Sequence, residues 1–245
     1  MPVIYLSPST QEGNFYRTGG TEEQYMNQVA DAMEPYLRSC GIRFTRNTPQ
    51  MTAASSIRQA NAGKYDFYLA LHSNAAPEHL SGQLRGTDVY FYPASTRGRR
   101  MAEIIAGNLK KIYPLPERVR TVSTTSIGEV SKTKAPAVLV EIAYHDNAQD
   151  AGWIVSHTGV IARALVLSLC EYFGIPFVEA QPPRQGTVAL TGGNLNIRSR
   201  PSLRAGAVTQ APNGAKLTVW GQWQNWYVVE YNGHTGYASA QYIYA

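Results

Sequence analysis

Between Val3 and Pro176, short apolar runs with strand texture alternate with stretches that carry apolar residues at helical spacing. This alternation restricts the possible folds more than any other feature of the chain. Residues 3 to 6 read as a first strand, followed by a polar loop from Ser7 to Gly20. Thr21 then caps a helix, with Gln24 completing a capping box. Met26, Val29, Met33, Leu37 and Cys40 trace its apolar seam, and Gly41 ends it. Ile42 to Thr45 is a second strand, Ala53 to Ala62 a short helix, and Tyr65 to Ala75 contains a third strand. Val89 to Tyr92 is a fourth. Met101, Ile104, Ile105, Leu109 and Ile112 pattern a helix that stops at Pro114, and a loop rich in Ser and Thr follows. Ala137 to Ile142 is a fifth strand; helices around Trp153 and from Val160 to Phe173 close the unit. The pattern predicts an α/β domain over residues 1–178, with a doubly wound, mostly parallel sheet and flanking helices.

Glu179 to Gly186 has the composition of a linker, and beyond it the texture changes. From 187 to 245 short β-rich runs alternate with Gly, Asn and Pro turns, and no helical period survives; a small all-β barrel is expected. Trp220, Trp223, Trp226 and several tyrosines fall here. That is more aromatic surface than one small barrel buries, so a surplus is expected on a sugar- or peptide-binding face.

The formal net charge of +5 favours an anionic partner, but no Lys/Arg run marks a nucleic-acid site, and none is expected. No apolar stretch is long enough to span a bilayer, so membrane insertion is not expected either. Met1 to Leu6 lacks the features of a signal peptide, which predicts synthesis in the cytoplasm. The two cysteines, Cys40 and Cys170, lie on apolar helix seams and read as buried thiols.

Chemistry-bearing residues collect at predicted strand ends. Phe67, Leu69 and Leu71 share one face of the third strand, and His72 ends it, where α/β sheets place ligands. Glu141 is a carboxylate inside the apolar run Val138 to Ile142, costly to bury unless it is paired or functional. Glu22 and Glu23 suit the dipole of the capped helix; Glu22 continues the line of Met26, Val29 and Met33 toward the sheet, while Glu23 more nearly joins Met26, Ala30 and Leu37, and the spacing leaves both open. The loop after the first strand adds Thr10, Gln11 and Glu12. One histidine and one inward glutamate make two thirds of a catalytic zinc site, with a second glutamate available as base. No G-x-S-x-G elbow, P-loop or dinucleotide fingerprint is present.

Arg58 with Ala60-Asn61-Ala62, Leu71-His72-Ser73-Asn74-Ala75, and Pro136 to Glu141 with Asn147 form a recognisable set, joined by Glu22 and Tyr25. On these residues the first domain resembles the zinc-dependent N-acetylmuramoyl-L-alanine amidases of the type-3 family. The resemblance implies Zn2+ bound by His72 and Glu22, with Glu141 handling protons. It also implies hydrolysis of the amide between N-acetylmuramic acid and L-alanine in peptidoglycan. The family's first strand normally ends in a Gly-His pair that supplies a third ligand, whereas here the stretch is Leu6-Ser7-Pro8-Ser9-Thr10-Gln11-Glu12. Gln11 is the preferred substitute, with Thr10, Glu12 and His145 as alternatives, and a weaker or altered metal preference is expected. Residues 187–245 resemble bacterial SH3-like wall-binding modules through Asn194 to Ser202 and Gly233 to Tyr237. Together the two imply an endolysin or autolysin that acts at the cell wall after release. The missing histidine leaves open a wall-binding protein without catalysis. The scissile bond could also lie within the stem peptide, as for a metallopeptidase.

Overall fold

The computed structural model describes residues 1–245. They group into two compact units: Val3–Met33 with Phe44–Tyr172, and Met1–Pro2 and Glu34–Arg43 with Phe173–Ala245.

In chain order the first sheet and its helices are β1 (Val3–Pro8), α1 (Glu22–Ser39), β2 (Arg43–Arg46), α2 (Ala53–Ala62), β3 (Phe67–Asn74), β4 (Thr87–Phe91), α3 (Thr96–Leu109), β5 (Val119–Ser123), α4 (Gly128–Ser131), β6 (Ala137–Tyr144), α5 (Ala148–Ser156) and α6 (Thr158–Phe173). The six strands lie in the order β2-β1-β3-β6-β4-β5. β1 with β3, β3 with β6, and β4 with β5 run parallel, while β4 runs antiparallel to β6. The sheet is therefore mixed but mostly parallel. From Phe67 to Leu71 every residue of β3 is fully buried, as expected of an inner strand covered on both faces. On one face Tyr5 stacks on Tyr68 at 5.1 Å between ring centroids, over Ala60, Ala70, Val130 and Leu139. The seam of α1 is buried as its spacing requires: Met26, Val29, Met33, Leu37 and Cys40 are all fully covered.

The stretch after Pro114 is not the featureless loop its composition predicts. It contains β5 and the single turn α4. β5 is an edge strand with only Val119 buried, so it carries no apolar alternation to read. α4 is too short to show a period. Both cysteine thiols are buried, and no single helix is long and apolar enough to cross a membrane.

The second sheet has seven strands: β7 (Arg184–Val188), β8 (Asn194–Arg198), β9 (Ala207–Pro212), β10 (Lys216–Trp223), β11 (Trp226–Tyr231), β12 (His234–Ser239) and β13 (Ile243–Tyr244). Their order is β13-β7-β10-β11-β12-β8-β9, with antiparallel pairing throughout. β7 begins inside the stretch with linker composition. β9 and β13 were not legible, because β9 buries only Ala211 and β13 has two residues. The core is aliphatic, with Val188, Leu195, Ile197, Leu217, Val219, Val229 and Ile243 at its centre. Trp220, Trp223 and Trp226 are half-buried, and Tyr242 and Tyr244 are exposed. The aromatics thus lie largely outside the core.

Candidate active site

Sheet order brings the carboxyl ends of three parallel strands together: β1 at Ser7, β3 at His72 and β6 at Glu141. Ser7 pairs with Ala70, and His72 pairs with Glu141. A cleft of about 590 Å³ opens there, lined among others by Ser9, Gln11, Asn47, His72, Glu129 and Glu141, with Met51, Ile57 and Ile127 as apolar wall. A crevice outside the carboxyl ends of the strands is where an open α/β sheet binds its ligand.

His72 is buried and held on both edges. Its Nδ1 lies 2.8 Å from Glu22 Oε1, and its Nε2 lies 2.9 Å from Glu129 Oε2. Burial alone would lower the pKa of this imidazole. The hydrogen-bonded carboxylates of Glu129 and Glu22 outweigh it and raise the value to about 10. Conversely, burial pushes Glu22 and Glu129 upward, but hydrogen bonds and charge from His72 bring both below the ordinary carboxylate range.

Glu22 reaches His72 because it sits in the first turn of α1 on the sheet side. The Thr21 hydroxyl accepts from the Gln24 N–H at 3.2 Å and caps the helix. The preceding loop is tied to that turn by Glu22 N–H to the Asn14 carbonyl, 2.8 Å. Asn14 also donates through Nδ2 to Glu22 Oε2 and to Gln11 Oε1. This places Gln11 Nε2 3.3 Å from His72 Nδ1. Gln11, Glu22 and His72 therefore converge on one edge of the imidazole. Glu23 instead meets Asn27, and Glu12 is exposed. Thr10 lines the cleft. His145 turns to Ser73, with Nδ1 2.9 Å from its carbonyl, and stacks on Tyr16.

Glu141 faces His72 on β3 and Asp88 on β4 in the sheet register. Its Oε2 is shut off from solvent with no hydrogen-bond partner. Burial pushes its pKa up to about 7; His72 pulls it down, while Glu22, Asp88 and Glu129 add to the rise. Asp88 is occupied by Arg120, which grips it through two nitrogens at 2.9 and 3.0 Å.

Glu129 was missed. In sequence it is one acid in a stretch of Ser, Thr and Lys, without apolar flanks on both sides, and nothing distinguishes it from the exposed Glu117. Only the fold reveals it: α4 packs beside β6 and delivers a carboxylate to Nε2 of His72. Among the motif residues, Asn147 caps α5 and Asn61 braces Lys132 and Lys134, so both serve the scaffold.

Two buried carboxylates, Glu22 and Glu129, and the half-buried Glu141 around one imidazole, beside an open cleft, define a site built for proton transfer and cation binding, the equipment of a hydrolase. The family model described as N-acetylmuramoyl-L-alanine amidase matches residues 8–171, and the bacterial SH3 domain model matches residues 193–244. The chain belongs to the N-acetylmuramoyl-L-alanine amidase family. It is 26% identical over 157 residues to the N-acetylmuramoyl-L-alanine amidase LytC of Bacillus subtilis (strain 168), covering 61% of this chain and 30% of that protein. The chain thus spans about a third of the curated relative it matches. The fold matches N-acetylmuramoyl-L-alanine amidase AmiC2 of Nostoc punctiforme with a TM-score of 0.61 at 15% identity, covering 71% of this chain and 97% of that one. It matches the catalytic domain of an endolysin targeting Clostridia Difficile with a TM-score of 0.59 at 20% identity, covering 70% and 98%.

Members of this family are generally zinc-dependent. No three His, Cys, Asp or Glu side chains converge to hold a metal ion, because Glu22 and Glu129 lie against different nitrogens of His72. Gln11 turns its amide nitrogen to His72 Nδ1 and its oxygen to Asn14, so it would present Oε1 to a metal only with the amide rotated. Glu22 Oε1 lies 2.8 Å from Nδ1, and neighbouring ligand atoms of a tetrahedral zinc lie roughly 3.3 Å apart. The orphaned Oε2 of Glu141 is a second sign that the site accommodates a further polar group. His72 Nδ1 and Glu22 fit two ligand positions of a zinc ion.

Proposed function

We propose that the chain hydrolyses the amide between N-acetylmuramic acid and L-alanine in peptidoglycan, with Gln11, Glu22 and His72 Nδ1 holding Zn2+. The observation that carries this reading is the convergence of those three side chains on one imidazole edge, with the unpartnered Glu141 carboxylate beside the same cleft. Zinc bound there supplies Lewis-acid polarisation of the scissile carbonyl and makes a water molecule more acidic. Glu141, with a pKa near 7, takes a proton from the attacking water and returns it to the departing amine of L-alanine. Asn14 keeps Glu22 oriented and stabilises its charge. Met51, Ile57 and Ile127 give the cleft an apolar wall for the substrate to lie against.

Residues 1–178 form the catalytic module, the connection precedes β7, and the sheet from Arg184 to Ala245 is a wall-binding module that raises the local concentration of enzyme on its polymer. Half-buried tryptophans and exposed tyrosines outside an aliphatic core support the second role. The protein acts at the cell wall, as an endolysin or autolysin. The test is metal analysis of the purified protein together with wall lysis in chelator. Stoichiometric zinc, loss of lysis in chelator and recovery on adding zinc are expected. Undiminished lysis in excess chelator by metal-free protein would overturn the proposal.

A further inference from the structure

Glu129 belongs neither to the ligand set nor to the proton carrier proposed above, yet it is one of the most completely bonded side chains at the cleft. Its Oε1 accepts from the Ser7 hydroxyl at 2.8 Å and from the Tyr68 hydroxyl at 2.7 Å. Asn47 donates to Ser7 Oγ at 3.3 Å and steadies that hydroxyl. With Oε1 occupied by two donors from β1 and β3, Oε2 is left facing Nε2 of His72 at 2.9 Å.

An imidazole can bind a metal through only one nitrogen when the other carries a proton. The hydrogen bond made by the second nitrogen decides which one is free. Glu22 and Gln11 gather at Nδ1, whereas Nε2 meets Glu129, whose own neighbours are hydroxyls. A proton held on Nε2 by a fixed carboxylate leaves Nδ1 as the ligating atom and locks the ring plane toward Glu22.

We propose that Glu129 is a positioning residue that fixes the tautomer and orientation of His72, so that Nδ1 is presented to the metal. Ser7 and Tyr68 act behind it as the clamp that stops the carboxylate from turning away. This offsets the weakness of a ligand set in which an amide stands where the family has a second histidine: the one remaining imidazole is held in place before the ion arrives. The inference rests on the zinc reading above.

The test compares the zinc dissociation constant, by competition with a chromophoric chelator, for the wild-type chain, Glu129→Gln and Glu129→Ala. ¹⁵N NMR of the histidine rings in the zinc-loaded wild type accompanies it. The expected results are a 10–100-fold weaker affinity for Glu129→Ala, a smaller loss for Glu129→Gln, which keeps an acceptor oxygen, and a His72 ring protonated on Nε2 with zinc on Nδ1. Should Glu129→Ala fail to fold, Glu129→Gln and the wild-type spectrum still decide. Zinc on Nε2, or unchanged affinity in the folded variants, overturns the role of Glu129 while leaving the metal site standing. A wild-type chain that binds no zinc overturns the functional reading itself, and this inference with it.

Discussion

Glu141 costs the fold stability when it ionises. Its Oε2 has no partner, and its folded-state pKa of about 7 lies above the ordinary 4.5. A group whose pKa is raised on folding contributes stability below its unfolded pKa and loses it as pH rises through the folded value. In the metal-free protein Glu141→Gln should therefore be more stable than wild type at pH 8, by up to about 3 kcal/mol. The difference should vanish near pH 4. Thermal unfolding in chelator at both pH values measures it, and an equal melting temperature at pH 8 would mean that Glu141 has found a partner. The same variant should keep its zinc while losing roughly 10²–10⁴-fold in rate, the usual worth of general acid–base help. His72 and Glu141 could be read from sequence because each interrupts an apolar strand. Glu129 could not, because its burial depends on a turn with no pattern of its own and on hydroxyls from Ser7 and Tyr68, 122 and 61 residues away.

At the level of elements, the site depends on the loop between β1 and α1 as much as on the sheet. Asn14 bonds both Gln11 and Glu22, so the helix terminus and the loop present their donors as one unit. Gln11→Ala should lower metal occupancy, with activity partly restored at high zinc, because a ligand is lost and the base remains. Glu22→Ala should abolish binding at any practical zinc concentration, since it removes the one carboxylate bonded to His72 Nδ1. Equilibrium dialysis of each variant distinguishes these outcomes. Legibility followed periodicity. α1 declared itself through five seam residues that are all fully buried, and the expected span of α2, Ala53 to Ala62, matches its observed ends. β5, β9 and β13 are exposed or very short, and their pairing comes from neighbouring strands more than from their own sequence.

For the whole molecule, an independent core in each sheet predicts a separable division of labour. A fragment of residues 179–245 keeps all of β7 to β13 and their aliphatic core, and should fold and bind intact cell walls in a pull-down. Residues 1–178 should cleave soluble wall fragments but act less on whole walls. A barrel fragment that folds and ignores walls would contradict the second module's role. The most direct measurement is mass spectrometry of peptidoglycan digested by the full chain. A muramoyl amidase releases peptides with a free L-alanine amino terminus and leaves glycan strands with unsubstituted lactyl groups, and it stops doing so in chelator. Fragments cut inside the stem peptide, or no release by the zinc-supplied protein on any wall chemotype, would contradict it.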